Sequence, residues 1–339
     1  MEILIDVNGA DKGIKPAIIG SIKALKNVES KIILVGKKEE ILKALTEEYG
    51  DKKAEDLKKQ IGIIDAQDEI TNDDEPSLAI KHKKESSIVK AYDYMKEKEE
   101  TAFISAGSTG AVMAGGLLKL KRIAKVHRPA LIAILPTDTG KGTILLDCGA
   151  NTDAAPNSMV QYAEMGKLYA SLVQNKENVS IGLLNIGAEE TKGSNELKES
   201  NLALKEKLSG FIGNIEARDI LKGKADVVVA QGLMGNVALK AIEGTAKTLK
   251  DALIKELKKN IFTKIRALVT KDILEKALYK YDYTKYGGAV LIGVRKPVVK
   301  IHGNAKAKNY EVAIYQANAI LKQKLIKEIE RKMNENEKV

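Results

Sequence analysis

Residues 180–195 read SIGLLNIGAEETKGSN. An apolar strand ends in Asn185-Ile186-Gly187. Two glutamates follow (Glu189, Glu190), then Thr191-Lys192-Gly193 and a Ser/Asn pair able to open a helix. A loop that only turned the chain would need no more than Gly, Asn or Asp. This one carries a cation, two carboxylates and amides directly behind a buried strand, so it reads as a loop that holds a ligand. The same unit of apolar strand, polar loop and helix recurs along the chain. Apolar runs fall at 2–6, 31–36, 61–66, 102–107, 130–136, 143–149, 214–217, 225–232 and 289–303, with helical patterns between them. Near-continuous apolar strands alternating with helices predict an α/β fold with a mostly parallel sheet covered on both faces.

Composition narrows the function classes. The chain has 339 residues and 44% hydrophobic content, enough for one large α/β unit or two lobes. A single Cys excludes an intramolecular disulfide and fits a reducing compartment. No basic n-region with an apolar run opens the chain, and no apolar run is long enough to span a bilayer, so a cytoplasmic location is expected. The net charge of +10 favours acidic partners such as phosphate compounds, anionic lipid or an acidic carrier protein. No zinc-finger spacing, RNP-like aromatic motif or aromatic-interleaved basic run supports nucleic acid.

In parallel sheets, ligands bind beyond the carboxyl ends of the strands. Five such ends carry Gly beside amides, hydroxyls or His: Gly107-Ser108-Thr109-Gly110, Cys148-Gly149-Ala150-Asn151-Thr152-Asp153, Asn185 to Gly193, Gln231-Gly232-Leu233-Met234-Gly235-Asn236, and His302-Gly303-Asn304. Each alone is most simply a turn or a helix cap. Five at one end of a sheet make a site. No P-loop, dinucleotide fingerprint, nucleophile elbow or metal-ligand spacing is present, so no metal or cofactor is expected. An anion-friendly cleft without a protein nucleophile suits a reaction whose substrate brings its own.

At these residues the chain resembles the PlsX-type phosphate acyltransferases. The blocks SAGSTGAVMAGG, HRPALIAILPT, LLDCGANTDAAP, MVQYAEMGKLYA, GLLNIGAEETKG, ADVVVAQGLMGNVALKAIEG and YGGAVLIGV follow in the family's order and cover most of the chain. The resemblance implies a three-layer α/β/α sandwich of the isocitrate/isopropylmalate dehydrogenase type, one catalytic unit over 1–339 made of two intertwined lobes. It implies transfer of a fatty acyl group from acyl carrier protein to inorganic phosphate, without a cofactor. The acyl phosphate would pass to a membrane glycerol-phosphate acyltransferase in phospholipid synthesis. A homodimer in peripheral contact with the membrane is implied as well. Four blocks depart from the family pattern: DAMGGD is Asp6-Val7-Asn8-Gly9-Ala10-Asp11, SAGNTGA has Ser108, DGFVGN begins with Gln231, and HGSS has Asn304-Ala305. An amide at 231 implies that this position need not ionise.

On this reading, phosphate lies near Gly107, Ser108, Thr109 and Gly110 and near Lys192, which also offsets Glu189 or Glu190. Asn151, Asn185 and Asn236 are candidate donors to phosphate or the oxyanion, beside Gln231, and His302 is a candidate acid for the leaving thiolate. Lys83, Lys84, Ser86 and Ser87 match a KKxSS block and are expected to line the cleft. A projecting helical hairpin over 245–285 is expected to serve dimer or membrane contact. Its stretch 250–270 sets apolar residues at helical spacing among lysines, with Ile261, Phe262 and Ile265 as the membrane-facing group if a turn forms near Asn260. The competing readings are a small-acyl phosphotransacetylase using coenzyme A, a decarboxylating dehydrogenase of the same fold, and a catalytically drifted membrane-associated relative.

Overall fold

The computed structural model describes residues 1–335. Eleven strands form among them: β1 (Glu2–Asp6), β2 (Lys31–Gly36), β3 (Gly62–Asp65), β4 (Thr101–Ser105), β5 (Ala130–Leu135), β6 (Thr143–Leu146), β7 (Ile181–Leu184), β8 (Phe211–Ile215), β9 (Val227–Val229), β10 (Ala289–Ile292) and β11 (Val298–Lys300). The chain builds two units and visits each more than once. The first takes Met1–Ala133, Leu168–Glu177 and the chain from Thr284; the second takes Ile134–Lys167 and Asn178–Tyr283.

In the first unit the strand order is β3-β2-β1-β4-β11-β10-β5. All are parallel except β10, which is antiparallel to both its neighbours. The reversal follows from chain length: the connection from β10 to β11 is too short for a crossover, so only a hairpin can form. Ile3, Leu4 and Ile5 are all buried, so both faces of the sheet are covered. Helices Lys15–Ala24 and Ala307–Lys322 pack closely through Gly20, where a Cβ would lie 2.4 Å from the Ala307 carbonyl. On helix Ser87–Glu97, Tyr92 meets Phe103 edge-on at 5.1 Å and donates to the Val112 carbonyl at 2.6 Å.

In the second unit the order is β6-β9-β7-β8, all parallel. The sequence pattern places the last of these strands at 214–217, but it runs over Phe211–Ile215. Gly213 adopts φ +93, and the pairing with β7 shifts register there, which hides the strand's start from an apolar-run reading. Helix Pro156–Leu172 covers this sheet, with Gly166 set against Val227. Three further helices, Gly232–Leu257, Ile261–Val269 and Lys271–Lys280, follow β9.

Because β1, β4 and β11 run parallel, their carboxyl ends open at one edge of the first sheet, into the loops at Asn8, Gly107 and His302. The ends of β6, β9 and β7 do the same in the second unit, at Cys148, Gln231 and Asn185.

Candidate active site

Each unit carries one cluster of polar loops. In the second unit the cluster begins with Asp147, fully buried at the end of β6. One of its oxygens accepts from the Gly149 and Ala150 amides at 3.2 and 2.9 Å. The other accepts from the Asn151 amide at 2.8 Å and from its side-chain Nδ2 at 2.9 Å. Four donors on one carboxylate wind 147–151 into a rigid turn. Asn151 Nδ2 also donates to Tyr162 Oη at 3.0 Å. The amide that the sequence offers as a ligand donor is therefore committed to holding the turn.

Against this turn lies the first turn of helix Gly232–Leu257. A Cβ on Gly232 would sit 1.9 Å from the Asn151 carbonyl oxygen, and one on Gly235 would sit 1.9 Å from that of Asp147. The two glycines let backbone rest on backbone. Asn236 is thereby laid against Gly149, with its Cγ 3.3 Å from where a Gly149 Cβ would be. Gln231 precedes the helix without capping it. The Gln231 and Asn236 carboxamides are half-buried and have no hydrogen-bond partner among the described residues. Unspent carboxamides beside a helix N-terminus suit an oxyanion or phosphate oxygen.

The loop after β7 is held from beneath by two buried amides. Asn185 accepts from the Ile186 N–H at 2.8 Å and donates to the Lys192 carbonyl at 3.1 Å. Asn214 donates to the Glu189 carbonyl at 2.8 Å and accepts from Asn201 Nδ2. Gly193, at φ +89, leaves room for the Asn185 side chain, which a Cβ would meet at 2.6 Å. Lys192 is exposed, and its stem crosses the bare face of Gly187, where a Cβ would meet its Cγ at 3.1 Å and Glu189 Oε2 at 2.8 Å. Its ammonium makes no ion pair among the described residues. Glu190, by contrast, pairs with Lys205 at 2.7 Å. Lys192 therefore has no fixed counter-ion, and Asn185 acts on it through the backbone.

In the first unit Gly9, at φ +70, brings the turn after β1 against Gly107, with 3.0 Å between its would-be Cβ and Gly107 Cα. Gly9, Ala10, Asp11, Ser108 and the segment Glu69–Asn72 line a cavity of ≈ 210 Å³. The Gly107 N–H donates inward to Ser105 Oγ at 3.0 Å, and Ser108 Oγ caps the following helix by accepting from Ala111 N. Thr109 and Gly110 are exposed. The loop after β11 is tied in by two hydrogen bonds, Asp11 N–H to the Gly303 carbonyl at 2.9 Å and Lys12 Nζ to the Asn304 carbonyl at 2.7 Å. His302 is exposed there.

Lys83 pairs with Asp74 at 2.8 Å and donates to the Glu69 carbonyl at 3.0 Å. The hydrogen bond to Asp74 holds the lysine's pKa above its ordinary value and the carboxylate's below. Lys83 thus staples the acidic loop that walls the cavity. Ser86 is buried; it caps helix Ser87–Glu97 through Val89 N and donates to the Lys83 carbonyl at 2.7 Å. Of the four KKxSS residues, Lys83 and Ser86 are spent on structure.

Four residues of these clusters were given no role by the sequence reading: Asp147, Asn214, and in the first unit Asp6 and Ser105. The available signal was a single polar side chain at or near the end of an apolar run, as in ILID, AFIS, ILLD and FIGNI.

Helices Ile261–Val269 and Lys271–Lys280 bury none of their side chains, and Phe262 is 72% and Val269 81% exposed. Asn260 starts the first of them with a capping box to Thr263. Among the described residues no helix is long and apolar enough to cross a membrane.

The α/β fold, with helices on a mixed sheet, is shared with solved phosphotransacetylases. The phosphotransacetylase of Streptococcus pyogenes matches with a TM-score of 0.59 at 14% identity, over 94% of each chain. A phosphotransacetylase of Staphylococcus aureus matches equally well. At the level of sequence, the profile of the family described as fatty acid synthesis protein matches residues 1–328. The phosphate acyltransferase of Thermoanaerobacterium thermosaccharolyticum is 43% identical over 333 residues, covering 98% of this chain and 97% of the relative. That of Bacillus cereus is 42% identical over 327 residues, 96% of each. The chain belongs to this fatty acid synthesis family and is an acyltransferase.

Proposed function

We propose that the chain transfers a fatty acyl group from the thioester of acyl carrier protein to inorganic phosphate, supplying acyl phosphate for phospholipid synthesis. The observation that carries the assignment of roles is Lys192, a cation without a fixed counter-ion on a loop fixed by Asn185 and Asn214. Near neutral pH phosphate is already an anionic nucleophile, so the chain need not supply one. Lys192 attracts it and offsets its repulsion from Glu189. A phosphate oxygen attacks the thioester carbonyl carbon, forming the acyl–oxygen bond and placing the negative charge on the carbonyl oxygen; the C=O bond then re-forms as the C–S bond breaks and the thiolate leaves with the charge. Asn236 and Gln231, in the same unit as Lys192, donate to the oxyanion. In the first unit the Ser108–Gly110 amides suit an anion, the Gly107 N–H being spent on Ser105. Placement of the two reactants supplies up to ~7–11 kcal/mol. Each oxyanion donor adds roughly 3–4 kcal/mol.

The exposed helices from Ile261 to Lys280 serve membrane or dimer contact, with Ile261, Phe262 and Ile265 as the apolar anchors. A peripheral position would deliver acyl phosphate to a membrane-bound glycerol-phosphate acyltransferase.

The test is hydroxylamine trapping of acyl phosphate from palmitoyl-acyl carrier protein and phosphate. Product should require phosphate and disappear in Lys192→Ala with the thermal transition unchanged. Near-normal turnover in that variant removes Lys192 from the mechanism. Activity with short acyl-coenzyme A alone would replace the carrier-protein reading.

A further inference from the structure

Beneath the cavity of the first unit lies a carboxylate that the mechanism above does not use. Asp6, 1% exposed at the end of β1, accepts from Ser105 Oγ at 2.6 Å and from the Asn8 N–H at 3.0 Å, and the Ser87 side chain lies close enough to favour its charged form. Ser105 Oγ in turn accepts the Gly107 N–H at 3.0 Å. A side chain at position 107 would fit tightly, since a Cβ there would lie 3.3 Å from both Asp6 Oδ2 and Ser105 Oγ. Lys300, at the end of β11, adds the nearby positive charge and donates to the Ala106 and Ile301 carbonyls. Tyr92 and Tyr310 face the same carboxylate from the helices on either side, and both are buried.

We propose that Asp6 is a positioning residue for acyl transfer: its carboxylate grips Ser105 and thereby sets the Gly107–Ser108 backbone that walls the cavity. The proposal rests on the acyl-transfer reading of the chain. An ionised Asp6 is an acceptor only, and Ser105 Oγ and the Asn8 N–H both point donors at it. A protonated Asp6 must itself donate, so one of these bonds reverses or breaks. If Ser105 turns its hydroxyl, the lone pair that holds the Gly107 N–H moves with it. Burial raises the Asp6 pKa to about 6, against the opposing pull of Ser105, Ser87, the Asn8 amide and Lys300. The carboxylate therefore changes charge just below neutrality, and the loop should lose its set as pH falls through that value.

Two measurements on the full chain decide the matter. The first is amide hydrogen exchange at Gly107, corrected for intrinsic rate. In the wild type, protection should fall with a midpoint near pH 6. In Asp6→Asn, an isostere of fixed charge, it should not vary with pH. Ser105→Ala should lose it at every pH with Asp6 in place. The second is the pH dependence of kcat/KM for phosphate. Phosphate's own ionisation is common to both proteins, so the ratio of wild type to Asp6→Asn isolates Asp6. Asp6→Asn should be slower at pH 7.5 by roughly 10- to 100-fold, the scale of a misplacement near 1 Å. The ratio should shrink as pH falls below 6. Gly107 protection that is flat with pH in the wild type overturns the proposal, whatever the activity. So does a ratio independent of pH. A wild type that yields no acyl phosphate counts against the acyl-transfer reading, and the exchange data still decide whether Asp6 holds the loop.

Discussion

Gly235 and Gly244 lie on one helix, nine residues apart, and alanine at the two positions should act in opposite directions. In a helix interior, Gly→Ala stabilises by about 1 kcal/mol through backbone entropy. At Gly244 a Cβ meets nothing within 4 Å, so the variant should gain that amount. At Gly235 the new carbon would be 1.9 Å from the Asp147 carbonyl oxygen, 3.0 Å from its carbon and 3.3 Å from Ala230 Cβ. Ordinary contact needs about 3.5 Å, so the helix must back off by roughly 1.5 Å. Overpacking of this kind costs about 1–3 kcal/mol, and the obstacle is backbone pinned by β6, so the upper end applies. Net of propensity, Gly235→Ala should lose about 2 kcal/mol. The same retreat lifts Asn236 from Gly149 and should cost turnover roughly 100-fold. Urea unfolding of wild type and both variants reads the stabilities, and hydroxamate trapping reads the rates. A Gly235→Ala protein as stable as Gly244→Ala would refute the backbone contact and the placement of Asn236 built on it.

Asn185→Ala strands the Ile186 N–H and the Lys192 carbonyl, so it should cost about 1–3 kcal/mol in urea unfolding and lower turnover with Lys192 still present. Asp6 predicts a stability slope of unusual sign. Its folded pKa, about 6, lies above the ordinary 3.8, so the folded state holds the proton more tightly. The group's contribution is full below 3.8 and is lost as pH rises through about 6, for a decrement of about 3 kcal/mol at neutral pH. Asp6→Asn should remove that slope, leaving a protein no less stable than wild type at pH 7.5 although slower; a wild-type slope in the variant sinks the argument. Phe262→Asp, at a position 72% exposed, should leave the thermal transition in place and abolish binding to anionic vesicles, and unchanged binding would exclude Phe262 as an anchor.

The strands were legible because parallel strands covered on both faces must be apolar throughout, and β1, β2, β5 and β6 are uninterrupted runs. The start of β8 was not, since Gly213 and the exposed Ile212 break its pattern. Sequence also located the loops that matter, through Gly beside amides. It could not rank the polar groups within them. Asn151, Asn185, Ser86 and Lys83 have the same chemistry as free ligands, and only the fold shows that their donors are consumed inside the protein. Asn236 and Gln231 differ from them in nothing but geometry. Asp6, Ser105 and Asp147 were given no role because a lone polar residue at a strand end looks like the boundary of the strand rather than the anchor of the next loop.

The supports under the Lys192 loop and the Gly107 loop differ in kind. The loop bearing Lys192 rests on Asn185 and Asn214, neutral amides that hold no titratable proton in the biological range. The loop at Gly107 rests on an acid whose charge is poised near neutrality. Acidification therefore leaves the lysine's perch untouched and loosens only the other. Of these two loops, only the one at Gly107 would need rebuilding for acid conditions, at the buried contact between Asp6 and Ser105.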